Sequence, residues 1–254
     1  MTITVGIGLY LFTLGLVFGS FMNVVGLRIP KQESFTLDRS RCPCCHTTLR
    51  AYDLIPLFSW FTLKGKCRYC CTSISPLYPT MELFTGSLFV FAWLTFGWQP
   101  EFLIALLYIL LLHGVMVSDL KYMLIPDKLL LFFVVPLIGL RFTIAPLGSW
   151  WEPLLGAGIG FMLLFTIAWA SRGGMGGGDI KLFAVIGVVA GWQLTFLTFF
   201  LSVFLGALIG GIGLLSGHVK RGVPMPFGPF IVVGALVAYF IGESILDWYK
   251  GLWL

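Results

Sequence analysis

Long apolar runs separated by short polar breaks dominate the chain. The first covers Ile3 to Leu27. Others follow at about 80–98, 102–118, 128–145, 153–170, 180–192, 194–216 and 227–247. A helix needs about 20 apolar residues to cross a bilayer core, and most of these runs are near that length. The pattern predicts an all-α polytopic membrane protein with about eight transmembrane helices. The run 180–192 is short, and is expected to lie tilted or partly sunk at one face. No Lys or Arg precedes the first run and no small-residue cleavage site follows it, so it reads as a span and not as a secretory signal. Arg28 to Tyr78 is the one long polar segment, between the first two spans.

Charge gives the orientation. Of the 16 Lys and Arg, all but Arg141 and Lys250 fall in alternate connections. These are Arg28 to Arg68 after the first span, then Lys121 with Lys128, Arg172 with Lys181, and Lys220 with Arg221. Basic residues collect on the cytosolic side, which predicts cytosolic placement for these connections and extracytoplasmic termini. Composition agrees: 58% of residues are hydrophobic and 11% charged, against about 25% charged in soluble domains. The net charge of +5 follows from this topology and gives no reason to expect nucleic-acid binding. Glycines four apart at Gly156/Gly160, Gly206/Gly210 and Gly213/Gly217 suit close helix contact in lipid. No internal repeat stands out.

All six cysteines lie between Cys42 and Cys71. Cys42 and Cys45 form one C-x-x-C, and Cys67 and Cys70 another. Two such pairs have the form of a four-thiolate, zinc-ribbon-like module, each presenting two sulfurs to one tetrahedral Zn2+. Cys44 and Cys71 are left over, and His46 is an alternative ligand. Disulfides and free thiols are the competing readings; a reducing cytosol argues against the first. A segment of this size with few apolar residues needs a metal, or docking on helices, to fold.

Few of the acids lie where they could meet at the membrane boundary. Asp119 ends the third span and Asp179 opens the sixth, behind the glycine run GGMGGG from Gly173 to Gly178. Gly176, Gly177 and Gly178 are expected to form an active-site loop whose backbone approaches closely. Ionisable residues in such a place are costly and need a reason. Two acids at equal depth on separate helices can share a proton and activate one water for amide attack. Each alone has a blander reading: Asp179 as a helix N-cap, Asp119 as a partner of Lys121. Asp127, after Pro126, reads as an N-cap. His113 lies six residues before Asp119, about 240° around the helix, and reads as a packed histidine.

These residues together resemble the type IV prepilin peptidases, a GxGD-type family of membrane aspartic proteases. The resemblance rests on GSFMNVVGLRIP (Gly19 to Pro30), the CPCC and CRYC pairs, ISPLYPTMELFTG (Ile74 to Gly86), SDLKYMLIPD, GMGGGDIKLF and PFGPF (Pro226 to Phe230). It covers nearly the whole chain, and the compact form is most similar to the competence-type enzymes of Gram-positive bacteria. It implies an aspartic endopeptidase that removes the basic leader of prepilins or pseudopilins after a glycine at the cytosolic membrane face. It also implies N-methylation of the new N-terminal residue, usually Phe, with S-adenosylmethionine. Asp119 and Asp179 match the family's catalytic pair, the cysteine module is linked to methylation, and Glu82 matches a family acid near that module. The implied organisation is a first helix (1–27), a cytosolic cysteine module (28–79) and a seven-helix peptidase domain (80–254).

Two other classes fit part of the pattern. A proton-coupled transporter with a zinc-ribbon regulatory loop would also use intramembrane acids, but these lie near one face and no repeat halves appear. A membrane scaffold with a docking module leaves the acid pair unexplained.

Overall fold

A computed structural model describes residues 2–34, 39–172, 174–217 and 225–252. Gly173, Lys220 and Arg221, which entered the glycine run and the charge pattern, lie outside the described residues. The helices are α1 (Thr2–Arg28), α2 (Phe58–Thr62), α3 (Leu77–Phe96), α4 (Pro100–Tyr122), α5 (Asp127–Thr143), α6 (Glu152–Ala170), α7 (Gly177–Leu215) and α8 (Gly228–Gly251). A 3-10 turn at Ala51–Leu54 precedes α2. Among the described residues β pairing is confined to two isolated bridges, so the chain is all-α. Helices α1, α3, α4, α6, α7 and α8 are long and apolar enough to cross a membrane. The protein is a multi-pass membrane protein. The chain divides into two compact units, Met1–Phe102 and Leu103–Leu254.

The eight predicted runs are all helical, but the sixth and seventh are joined as α7. Its 39 residues contain one non-helical position, Gly191, at φ 76° and ψ 175°. A side chain is strained at such a φ, which is why glycine stands there. The chain doubles back at this point. The rings of Phe183 and Phe199 lie 6.3 Å apart, whereas 16 residues of straight helix would separate them by about 24 Å. The first half, 177–190, is thus a short helix of about 21 Å, and the second, 192–215, is long enough to span.

Helix α6 seats this hairpin through its small residues. A side chain at Gly156 would collide with the backbone of Gly187, and one at Gly187 with that of Gly156. A Cβ on Gly160 would strike the Phe183 carbonyl and lie 3.2 Å from Thr195 Cγ2, so one glycine touches both halves of α7. Backbones meet this closely only where side chains are absent. The other spacings differ: a Cβ on Gly206 would lie 3.3 Å from the Phe227 ring, while one on Gly217 would have nothing within 4 Å.

In the first unit α1 packs along α3, and the cysteine module lies between them in sequence. The module consists of two like turns, a repeat that the sequence did not suggest. Cys42, Cys45, His46 and Thr47 recur 25 positions later as Cys67, Cys70, Cys71 and Thr72. In each turn the first cysteine's N–H donates to the threonine carbonyl, at 3.1 and 2.8 Å. In each, the N–H four residues on (His46 or Cys71) donates to that cysteine's carbonyl at 3.0 Å. His46 and Cys71 occupy equivalent left-handed positions, at φ 55° and 58°. The bridges Arg41–Thr48 and Lys66–Ser73 close the two turns. The repeat is faint in sequence, since only the two C-x-x-C cysteines and one threonine are identical between copies.

Candidate active site

Asp119 lies in the last turn of α4 and Asp179 in the first turn of α7, at one end of the second unit. The connection between α4 and α5 brings them together. Ser118 Oγ donates to the Leu124 carbonyl at 2.5 Å, folding this turn back on α4. A Cβ on Gly178 would lie only 2.8 Å from that of Ile125, so the start of α7 rests on the same turn. Asp119 is buried and Asp179 half-buried, and the two carboxylates are within electrostatic reach of each other.

Gly176 is the N-cap of α7, while Gly177 and Gly178 belong to its first helical turn. The expected three-glycine loop is therefore corrected: only Gly176 precedes the helix. Helical backbone at 177–178 lets the α7 N-terminus, with its free N–H groups, lie beside Asp179. Gly178 is small for contact with Ile125, and Gly177 meets nothing within 4 Å.

One further residue completes the site. The backbone N–H of Gly228, the first residue of α8, donates to Asp119 Oδ2 at 2.7 Å. A Cβ there would lie 2.7 to 2.9 Å from the Asp119 carboxyl atoms, which only glycine avoids. Gly228 lies in the PFGPF motif, where the only sign of a special role is a glycine directly before Pro229. Asp127 is corrected as well. Pro126 is the N-cap of α5, and Asp127 forms an ion pair with Lys181 Nζ at 2.7 Å. His113 is buried, as its helix phase predicts.

Glu82 and the cysteines belong to the first unit. Glu82 is buried on α3, with Gly19 of α1 against its backbone. Its Oε2 accepts the N–H of Leu57 at 2.9 Å. Leu57 sits at φ 58° and ψ −52°, a strained conformation for a leucine, just before α2. Glu82 thus latches the module onto α3.

The ligand atoms of Cys42, Cys45, Cys67 and Cys70 all lie within 4.8 Å of one another. Cys42 Sγ and Cys70 Sγ are 3.7 Å apart. Four sulfurs about 2.3 Å from a Zn2+ in a tetrahedron have edges of about 3.8 Å, so the set has the right size for this ion. The thiols are free, and 3.7 Å is far beyond disulfide length. Cys44 and Cys71 are exposed and outside the cluster, as is His46, which fixes the ligand register.

Comparison with known proteins supports the same reading over both units. The model of the bacterial peptidase A24 N-terminal domain matches residues 13–96, and that of the type IV leader peptidase family matches residues 102–211. A prepilin leader peptidase/N-methyltransferase of Bacillus subtilis (strain 168) is 45% identical over 239 residues, covering 94% of this chain and 96% of the relative. The chain belongs to the type IV leader peptidase family. Like-named members of this family from Stutzerimonas stutzeri and Pseudomonas aeruginosa are 36% and 34% identical. Each alignment covers 93% of this chain, and 91% and 92% of the relative respectively. No solved structure matches the chain.

Proposed function

We propose that this protein is a prepilin leader peptidase and N-methyltransferase, with Asp119 and Asp179 as the catalytic pair of the peptidase. The observation that carries the reading is that these two carboxylates, at the end of α4 and the start of α7, lie within electrostatic reach of each other. The substrates are prepilin or pseudopilin precursors that present a basic leader, a glycine at the cut and an apolar helix held in lipid. One carboxylate is ionised and takes a proton from water. The water oxygen attacks the scissile carbonyl carbon while the protonated partner donates a hydrogen bond to the carbonyl oxygen. The C–N bond then breaks, and the leaving amine takes up a proton from the pair. The Gly228 N–H holds Asp119 in place through this cycle.

The site lies on the cytosolic face, where Lys121, Lys128 and Lys181 collect, and both termini lie outside. A basic leader remains on that same side. Methylation belongs to the module of residues 28–79, and cleavage to the helices of residues 80–254. S-adenosylmethionine supplies an activated methyl group for the new N-terminal amine. A buried carboxylate suits the positive charge of either partner, and Glu82 is the residue assigned to that role. The four thiolates of Cys42, Cys45, Cys67 and Cys70 hold a structural Zn2+, whose charge a tetrahedral sulfur site accommodates.

The reading is tested by mixing purified protein with a prepilin-like precursor bearing a basic leader and a Gly-Phe junction. Cleavage at that junction, followed by a gain of one methyl group when S-adenosylmethionine is added, is the expected result. A folded protein that leaves several such precursors intact would exclude it. Two variants probe the parts. Gly228→Ala pushes a methyl group into Asp119 and is expected to slow cleavage about 100-fold, the usual effect of a 1 Å misplacement. Glu82→Gln keeps an acceptor for Leu57 but removes the charge. Methylation of pre-cut product should fall about 10- to 100-fold, as for loss of a charged hydrogen bond, while the cleavage rate holds.

A further inference from the structure

We propose that Arg141 is a positioning residue for the peptidase reaction. It ties the carbonyl end of the first half of α7 to the carbonyl end of α5, and so fixes where Asp179 stands. The proposal rests on the peptidase reading above.

Arg141 is buried, on α5, and is one of two basic residues that the charge topology leaves unexplained. Its Nη1 donates to the Ala145 carbonyl at 3.1 Å. Its Nη2 donates to the carbonyl of Val189. Val189 is two residues before the break at Gly191. Val189 lies in the last turn of this half-helix, where carbonyls lack intrahelical donors, and a buried carbonyl left unmet is costly. A guanidinium meets this need doubly: it supplies donors in a fixed fork, and it places positive charge at the negative ends of two helix dipoles.

The other ends of these two helices are also tied. Asp127, the first residue of α5, pairs with Lys181, two residues beyond Asp179. The two helices run parallel, and α5 is bonded to the first half of α7 near both ends, by this exposed ion pair and by the buried guanidinium. That half is only about 21 Å long, and it ends at a glycine able to take many conformations. Helix α6 already packs on this half at Gly187 and Phe183, so loss of the tie at its carbonyl end leaves it room to tilt about the break, shifting Asp179 with it. Lysine cannot replace the fork, since a single ammonium is a point donor on a flexible stem.

The test uses the full chain in detergent: wild type, Arg141→Lys, Arg141→Gln, Lys181→Met and the Arg141→Gln/Lys181→Met double variant. Each is measured for kcat and KM on a prepilin-like precursor, and for amide exchange across residues 186–190. Arg141→Gln is expected to lower kcat about 10- to 100-fold with KM little changed, and to speed exchange at the break. Arg141→Lys should fall between it and wild type. Both ties hold one helix, so the double variant should lose less than the product of the single losses. If Arg141→Gln does not fold, Arg141→Lys decides: a lowered kcat at constant KM supports the proposal. Wild-type kcat in a folded Arg141→Gln or Arg141→Lys, or unchanged exchange at 186–190, overturns it. So does a loss confined to KM, or strictly multiplicative losses. A folded wild-type chain that cuts no precursor overturns the peptidase reading itself, and is recognised before any variant is compared.

Discussion

Asp119→Asn and Asp179→Asn are each expected to cut a prepilin-like precursor about 1,000-fold more slowly than wild type, or to show no cutting. General acid–base action by one positioned group is worth about 100- to 10,000-fold, and here the two groups share one task. An amide at either position keeps the shape but cannot accept the proton of the attacking water. The fold should survive both changes. Asp119 Oδ2 accepts the Gly228 N–H, and the amide oxygen of Asn can accept it too. Asp179 lies in the first turn of α7, where loss of a negative charge costs about 0.3–1 kcal/mol. Helix content and melting should therefore stay near wild type while cleavage disappears. Methylation of pre-cut product, assigned to the other unit, should persist. The transporter reading makes a different forecast, in which proton flux is lost and no precursor is ever cut. Cleavage by either variant at the wild-type rate would remove the acid pair from the mechanism.

Much of this architecture is legible in the chain because lipid allows few solutions. Each apolar run is a helix, and even the division of α7 shows as two runs with Gly191 near their border. The charge pattern is equally simple, and its one buried exception is informative. Arg141 is buried and donates to the carbonyls of Ala145 and Val189, contacts that the charge pattern does not foretell. Hydropathy places Asp119 at the end of one apolar run and Asp179 at the start of another, but their approach depends on the turn after α4, which seats Gly178 against Ile125.

Other features depend on contacts between residues far apart in sequence. Asp127 looks like an N-cap because it follows a proline before an apolar run. Its Lys181 partner lies 54 positions away, and only the packing of α5 on α7 reveals it. Gly228 lies 109 positions from the carboxylate it serves. A backbone donor leaves almost no mark on sequence beyond the absence of a side chain. The glycines before Asp179 misled in the opposite direction. A run of them suggests a loop, yet two are helical, and small size against Ile125 is what Gly178 supplies. The cysteine register was open because each pair has an adjacent cysteine. Distances single out the four clustered thiols, and in the 25-residue repeat neither Cys44 nor Cys71 has a cysteine at the matching position.

Removal of the metal should separate the two activities. Purified protein is expected to carry about one Zn2+ per chain, held by Cys42, Cys45, Cys67 and Cys70. Structural zinc contributes about 10–16 kcal/mol of apparent binding energy in small modules. A segment of about 50 residues is small for folding on a hydrophobic core alone, and the described module offers only a 3-10 turn and the five-residue α2 as regular helix. Cys42 and Cys67 are buried, each 5% exposed, and both belong to the four-thiol cluster. Cys67→Ser should therefore bind zinc more than about 100-fold more weakly, since outer-shell changes alone cost about 10- to 100-fold. The region between α1 and α3 should become open to protease, and methylation should be lost. Cleavage should be affected far less, because Asp119, Asp179 and Gly228 all belong to the second unit. Cys44→Ser and Cys71→Ser supply the comparison: both side chains are exposed and outside the cluster, so metal content and both activities should match wild type. Metal analysis, limited proteolysis and the two product assays on the same preparations decide the matter. Full methylation by a zinc-free Cys67→Ser protein would show that the four thiols serve some purpose other than holding the module together.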